Sequence, residues 1–104
     1  MQHNKVRATE REKLSDWLAG YIAGMVDGEG TITVSRNKDL RIYNNNLAML
    51  SVIQVFAGGK ISPNGTPPGL VLSFRLEEKK WLLPQIIPYL IIKKQKAMDL
   101  LKIL

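Results

Sequence analysis

Trp17, Leu18, Tyr21, Ile22, Met25 and Val26 recur at spacings of three and four, the period of a helix with one buried face. Ser15 stands where an N-cap belongs, and Asp16 places a carboxylate in the first turn, where the helix dipole favours it. The helix is expected to stop near Asp27-Gly28-Glu29-Gly30, where glycines and carboxylates alternate. Thr31 to Ser35 then alternates strictly, as a half-buried strand does. Arg36 to Asp39 supplies a polar turn and Leu40 to Tyr43 a second strand, completing a hairpin. Asn44 to Asn46 are placed to cap a helix over residues 47–56, which Ala57-Gly58-Gly59 closes. Lys60 to Ser62 predicts a third strand, residues 63–69 a loop rich in Pro and Gly, and Leu70 to Leu76 a fourth strand. Residues 77–89 read as a helix bent or broken by Pro84 and Pro88, and residues 93–104 as a last helix.

The predicted order is α-β-β-α-β-β-α-α: an α+β fold with a four-stranded antiparallel sheet and its helices packed on one face. Each hairpin is followed by a helix, which suggests an approximate duplication of one ββα unit. Strand parity sends Ile32, Val34, Leu40, Ile42, Ile61, Leu70, Leu72, Phe74 and Leu76 toward the helices. The opposite face then carries Thr31, Thr33, Ser35, Arg41, Tyr43, Lys60, Ser62, Val71, Ser73 and Arg75, with no carboxylate among them. Trp17, Trp81, Met25, Met49 and Met98 are expected to pack into the core.

Charge turns that polar face into a candidate binding surface. The 104 residues allow one domain, residues 15–104, behind a polar N-terminal segment, residues 1–14, expected to fray. Lys and Arg outnumber Asp and Glu by 15 to 9, and a domain this basic calls for a polyanion. Thr and Ser can read bases weakly, Arg41, Lys60 and Arg75 can reach guanine edges or phosphates, and Arg36 and Lys38 in the first turn suit phosphates. The chain has no cysteine, and its one histidine is His3, so thiolate and histidine metal sites and Cys or Ser-His-Asp nucleophiles are excluded. Residues 42–59 are free of charge but too rich in Asn, Ser and Gln to span a membrane, and the N-terminus lacks an apolar signal core. An intracellular protein of the cytoplasm or an organelle matrix is expected, without membrane contact.

The most informative stretch is residues 18–30, LAGYIAGMVDGEG. Gly20, Gly24 and Gly28 fall four apart beside Ala19 and Ala23, and a Gly inside a helix costs about 1 kcal/mol against Ala. A stripe of small residues lets a second backbone approach closely, either a neighbouring helix of the same chain or a second copy across a two-fold axis. In the second case two Glu29 carboxylates meet at helix C-termini and repel unless a cation intervenes. Hard oxygen ligands suit Mg²⁺ or a similar ion such as Mn²⁺, with a phosphodiester completing its shell. Without that symmetry Asp27 and Glu29 are ordinary loop carboxylates.

Ile22-Ala-Gly-Met-Val-Asp-Gly-Glu-Gly30 resembles the signature of the LAGLIDADG homing endonucleases. Trp17 and Leu18 before it and Thr31 to Val34 after it agree with that family's context. Residues 88–97, PYLIIKKQKA, are similar to its second recurrent block, and residues 41–46 and 58–61 match its strand-to-helix junction and third strand. The resemblance runs in order through residues 15–104. It implies a saddle-shaped sheet over the DNA major groove, signature helices paired at a subunit interface, and metal-dependent cleavage of both strands. One signature per chain implies a homodimer on a nearly palindromic duplex site, as in intron- or intein-encoded mobility enzymes.

Carried over by position, the resemblance implies that Glu29 binds metal with the carbonyl of Gly30. It implies a structural role for Asp27, a solvent-orienting role for Asn44 and a catalytic-site role for Lys93. Gly20, Ala23, Gly24, Asp27 and Gly28 form the implied dimer face. Lys94 and Lys96 crowd Lys93 at a helix N-terminus, against the dipole, so an anionic partner such as DNA is expected there. Ala48 leaves no basic group one turn past Asn44, where some relatives carry one. Two rivals remain: a DNA- or RNA-binding protein of the same fold that has lost cleavage (a maturase or regulator), and a dimerisation module without a nucleic-acid partner.

Overall fold

A computed structural model describes residues 12–104. Helix α1, Asp16–Glu29, begins where the Ser15 hydroxyl accepts the Leu18 amide at 3.4 Å. It ends as the Gly30 amide bonds the Val26 carbonyl and the chain turns directly into strand β1, Gly30–Thr33. That turn requires glycine: a Cβ at position 30 would lie 2.7 Å from the Val26 oxygen. Strand β2, Asp39–Asn44, is antiparallel to β1, with Thr31 opposite Arg41. In the turn between them the Lys38 amide bonds the Ser35 carbonyl at 3.1 Å, with Lys38 at φ 47°.

Helix α2, Leu47–Ala57, is capped by Asn46, whose carbonyl oxygen accepts the Met49 amide at 3.3 Å. Gly58 and Gly59, both at positive φ, reverse the chain into β3, Lys60–Pro63. Strand β4, Leu70–Ser73, pairs with β3 on one side and β2 on the other, giving a sheet of order β1-β2-β4-β3, antiparallel throughout. The two predicted hairpins thus meet through their second strands, each followed by a helix. Helix α3, Leu76–Ile86, passes through Pro84, and a 3₁₀ turn, Ile87–Tyr89, takes over at the residue before Pro88, where proline disfavours helical geometry. Helix α4 is Lys94–Ile103. No described helix is long and apolar enough to cross a membrane.

The core lies between the helices and one sheet face, around Ile22, Val26, Leu40, Ile42, Leu50, Ile53, Leu72, Leu82, Leu83, Ile86 and Leu100. Burying side chains of this size stabilises by about 1.5–3 kcal/mol each. The α+β order and four-stranded sheet are as expected; several details are not. β1 ends at Thr33, which leaves Ser35 in the turn, and β4 ends at Ser73. Arg75 is instead the residue before α3, and Leu76 opens that helix half-exposed. The cause is Glu78, which is almost fully buried and accepts the Arg75 amide at 2.7 Å and the Gly59 amide at 2.9 Å, pulling the chain out of the strand. Burial pushes the Glu78 carboxyl up, but those amides and the Arg75 guanidinium outweigh it and hold it below the usual range.

Trp17, expected in the core, is 67% exposed, and Met98 is exposed too, whereas Met25 is buried and Met49 and Trp81 pack against the core. Of the polar segment 1–14, residues 1–11 lie outside the described residues. Leu14 belongs to the packed body: its amide bonds Gln85 Oε1 at 2.7 Å and its side chain meets the core.

Candidate nucleic-acid interface

The sheet face turned away from the helices presents Thr31, Arg41 and Lys60 as exposed residues, with Thr33, Tyr43, Ser62 and Ser73 half-buried. The register sets them in rows across the strands: Thr31, Arg41, Ser73 and Lys60 lie in one, and Tyr43, Val71 and Ser62 in the next. Val71 is nearly covered, so this face has an apolar centre among its polar positions. Arg36, Lys38 and Ser35 are exposed in the first turn, and Arg75 stands beyond the end of β4 with Nη2 3.5 Å from Glu78 Oε2. One expectation fails. β2 starts a residue early, and Asp39 joins Arg41 and Tyr43 on this face. Asp39 Oδ2 accepts Arg41 Nε at 2.9 Å and lies 2.8 Å from Nη2. Tyr43 and then the Asp39 charge raise the Arg41 pKa further above its ordinary value.

At one end of the sheet the C-terminus of α1 meets the β2–α2 junction. An open cleft of about 380 Å³ is lined there by Glu29, Tyr43, Asn44, Asn45, Asn64, Gly69 and Leu70. Glu29 is exposed and makes no hydrogen bond or ion pair with the described residues. Asn44 is more constrained: its Oδ1 accepts the Asn46 amide at 2.8 Å and its Nδ2 lies 3.9 Å from the Met49 sulfur. The structure therefore brings Glu29 and Asn44 together and adds Asn45 and Asn64. Asn64 comes from the β3–β4 loop, tied across its base by Asn64 N to Gly69 O at 3.0 Å. Only Pro-Gly composition marked that loop in the sequence, so its reach to Glu29 was invisible.

Lys93 is not among the residues lining that cleft. Its Nζ donates to the Asp27 carbonyl at 2.6 Å, while its own amide bonds Asp27 Oδ1 at 3.0 Å. Asp27 also accepts the Ile91 amide at 2.7 Å and the Ile92 amide at 3.1 Å. The anion at the start of α4, expected from an external partner, is thus supplied by the chain itself. Desolvation raises the Asp27 pKa, but the Ile91, Lys93 and Ile92 amides and the Lys93 charge overcome it and hold the carboxyl below its usual range. Lys94 and Lys96 remain exposed.

The small-residue stripe of α1 divides. Ala23 is fully buried in the core, so it faces its own chain. A Cβ at Gly20 would meet the Tyr89 ring at 4.0 Å, and Asp27 is committed to the start of α4. Gly24 and Gly28 are exposed with nothing within 4 Å of an added Cβ. They share a helix face with Trp17. The open part of the stripe is therefore Trp17, Gly24 and Gly28.

For a metal, the donor in the cleft with fitting chemistry is the Glu29 carboxylate, a hard oxygen ligand suited to Mg²⁺ or Mn²⁺; Gly30 is not among the residues lining it. Among the described residues no three His, Cys, Asp or Glu come together. One carboxylate among the described residues, that of Glu29, lines the cleft and is part of a donor set.

No family model matches the sequence, and no curated protein does. Among solved structures, two of the homing endonuclease I-CvuI are similar. One is in complex with its target, Sro1.3, in 2 mM Ca, with TM-score 0.73 and 22% identity. The other is in complex with an I-CreI target, C1221, in 2 mM Mg with the DNA not cleaved, with TM-score 0.71 and 24% identity. Each match covers 85% of this chain and 66% of the other, so the chain spans just under two thirds of those proteins' length. From the helix that ends in Glu29 to the four-stranded sheet beside it, this chain has the fold of the LAGLIDADG homing endonucleases.

Proposed function

We propose that the protein is a site-specific double-strand DNA endonuclease that works as a homodimer on a pseudo-palindromic site with Mg²⁺ or Mn²⁺. The observation that carries this reading is the free Glu29 carboxylate in a cleft whose Tyr43 belongs to the outward face of the sheet. Thr31, Thr33, Arg41, Tyr43, Lys60, Ser62 and Ser73 would lie along the duplex. Arg36, Lys38, Arg75, Lys94 and Lys96 would meet its phosphates and release counterions, so affinity should fall steeply with salt. Packing of Trp17, Gly24 and Gly28 against a second copy would supply the second Glu29.

When bound, the metal supplies Lewis-acid stabilisation of the scissile phosphate and lowers the pKa of a bound water. Glu29 and the Gly30 carbonyl would hold it. Asn44, locked by the Asn46 amide, keeps its second amide hydrogen to orient solvent or a phosphate oxygen. Lys93 acts from beneath, fixing the Asp27 carbonyl at the last turn of α1 and with it the direction of Glu29.

Binding selection from random duplex DNA in Ca²⁺, followed by a Mg²⁺ challenge, tests this reading against Glu29→Gln. The expected result is a near-palindromic site cut on both strands by the wild type and bound but left whole by the variant. Cutting by the variant would remove Glu29 from the metal site. A second reading, a DNA-binding protein without cleavage, is favoured by the engagement of the Lys93 amine on Asp27 rather than in the cleft. An enriched site that stays whole in Mg²⁺ would select it.

A further inference from the structure

Lys79 is a charged residue with no part in the site described above. It is 8% exposed on α3, and a buried ammonium is costly unless its donors are satisfied. Its Nζ donates to the Lys38 carbonyl at 2.8 Å, in the turn between β1 and β2, and lies 3.9 Å from Asp39 Oδ1. The other oxygen of the same carboxylate, Oδ2, holds Arg41. Three charged side chains from α3 and β2 are therefore joined through one carboxylate.

The geometry at Arg41 defines what it can still do. Asp39 takes the guanidinium along its Nε–Nη2 edge. Tyr43, on the same face, also bonds the guanidinium. Asp39 leaves the Nη1–Nη2 edge, whose two parallel N–H donors match the O6 and N7 acceptors of guanine. Position agrees: β2 is an inner strand, with Arg41 between Thr31 of β1 and Ser73 of β4. Charge agrees too, because a guanidinium already paired with a carboxylate has little net attraction for a phosphate but keeps its hydrogen-bond geometry.

We propose that Arg41 reads a guanine in the major groove, and that Asp39 and Lys79 are positioning residues that hold its fork in place. Asp39 fixes the guanidinium plane, and Lys79 fixes Asp39 and the turn before it. Side chains held by such a network lose less freedom on binding, which sharpens discrimination rather than raw affinity. The proposal rests on the DNA reading above and goes beyond it by naming a base and the residues behind its reader.

The test is binding selection from random duplex DNA in Ca²⁺ on the full chain, comparing base frequencies position by position. The wild type is expected to select guanine at one symmetric position per half-site by about tenfold or more. Arg41→Ala should abolish the preference there alone. Asp39→Ala and Lys79→Met should reduce it several-fold at the same position, and Lys79→Arg should restore it. Thermal melts of each variant separate this from a merely structural role, which lowers stability without moving one base preference. A folded Lys79→Met variant with the wild-type guanine preference overturns the brace, and so does an Asp39→Ala variant with that preference. Loss of affinity for all sequences alike in Arg41→Ala overturns the base assignment in favour of a phosphate. A wild type that enriches no duplex overturns the DNA reading itself, and this proposal with it.

Discussion

The last turn of α1 holds two carboxylates, Asp27 and Glu29, that belong to different chemistries. Asp27 faces its own chain, where three consecutive amides from Ile91 to Lys93 converge on it and the Lys93 amine bonds its carbonyl. Glu29 faces out into an open cleft with no described partner. A carboxylate that accepts several amides is fixed and spent; one at a negative helix end without donors is available to a cation. The same contrast runs along the helix, with Ala23 and Val26 buried and Gly24 and Gly28 open. One side of α1 maintains the fold; the other is exposed, and the proposed metal and second copy would meet the chain there.

The strongest way to break that division is at the point where the two sides meet. Gly30→Ala places a Cβ 2.7 to 3.1 Å from backbone atoms of Val26, which cannot move without unwinding the helix end. The expected loss is about 3 kcal/mol, read by urea denaturation, together with any activity that depends on Glu29. Wild-type stability in this variant would mean that the turn after α1 is softer than its geometry indicates.

Exchanging the acids comes next. Asp27→Asn should cost about 2 kcal/mol, because it weakens charge-assisted bonds to three amides, whereas Glu29→Gln should stay within about 0.5 kcal/mol of wild type. The pH dependence has a definite sign. The folded pKa of Asp27 lies below its ordinary 3.8, so its contribution is complete above that value and is lost as pH falls through the folded pKa. Glu78, depressed from 4.5, acts in the same direction. Acid melts should therefore lose less stability in Asp27→Asn than in wild type, with Glu78 accounting for the remaining acid limb. Parallel acid limbs in the two proteins would dissociate Asp27 from the start of α4.

These outcomes bear on how far residue order alone carries the structure. Ser15 and Asn46 were legible as caps because each bonds an amide three residues away, and the alternation of β1 and β2 fixed which side of the sheet faces the core. The end of β4 was not legible. Leu70 to Leu76 keeps alternating, but Glu78 captures the Arg75 amide and reaches Gly59, a contact between distant segments. Glu29 and Asn44 stood out because they sit at element ends flanked by recognisable neighbours. Asn64, Asp39 and Lys79 did not, since their significance comes from the loop closing over the cleft and from α3 reaching the first hairpin. The direction of the Lys93 amine is likewise decided by the docking of α4 on α1.

A modest gain in stability, rather than a loss, separates the two sides of α1 most cleanly. Gly24 lies inside a helix, where glycine is disfavoured by about 1 kcal/mol against alanine, and an added Cβ meets nothing within 4 Å. Gly24→Ala should therefore stabilise the isolated chain by about 1 kcal/mol, raising its melting temperature by about 5 °C. A gain on that scale in the monomer leaves glycine at this position without an intramolecular reason. Gly24→Leu then asks what the reason is. The leucine is tolerated by the chain on its own but holds a second α1 away, so light scattering should report monomers and palindromic-site affinity should fall. If Gly24→Leu remains dimeric, the two-fold axis lies off this face, and the proposed packing of Trp17, Gly24 and Gly28 that would bring two Glu29 carboxylates together is overturned.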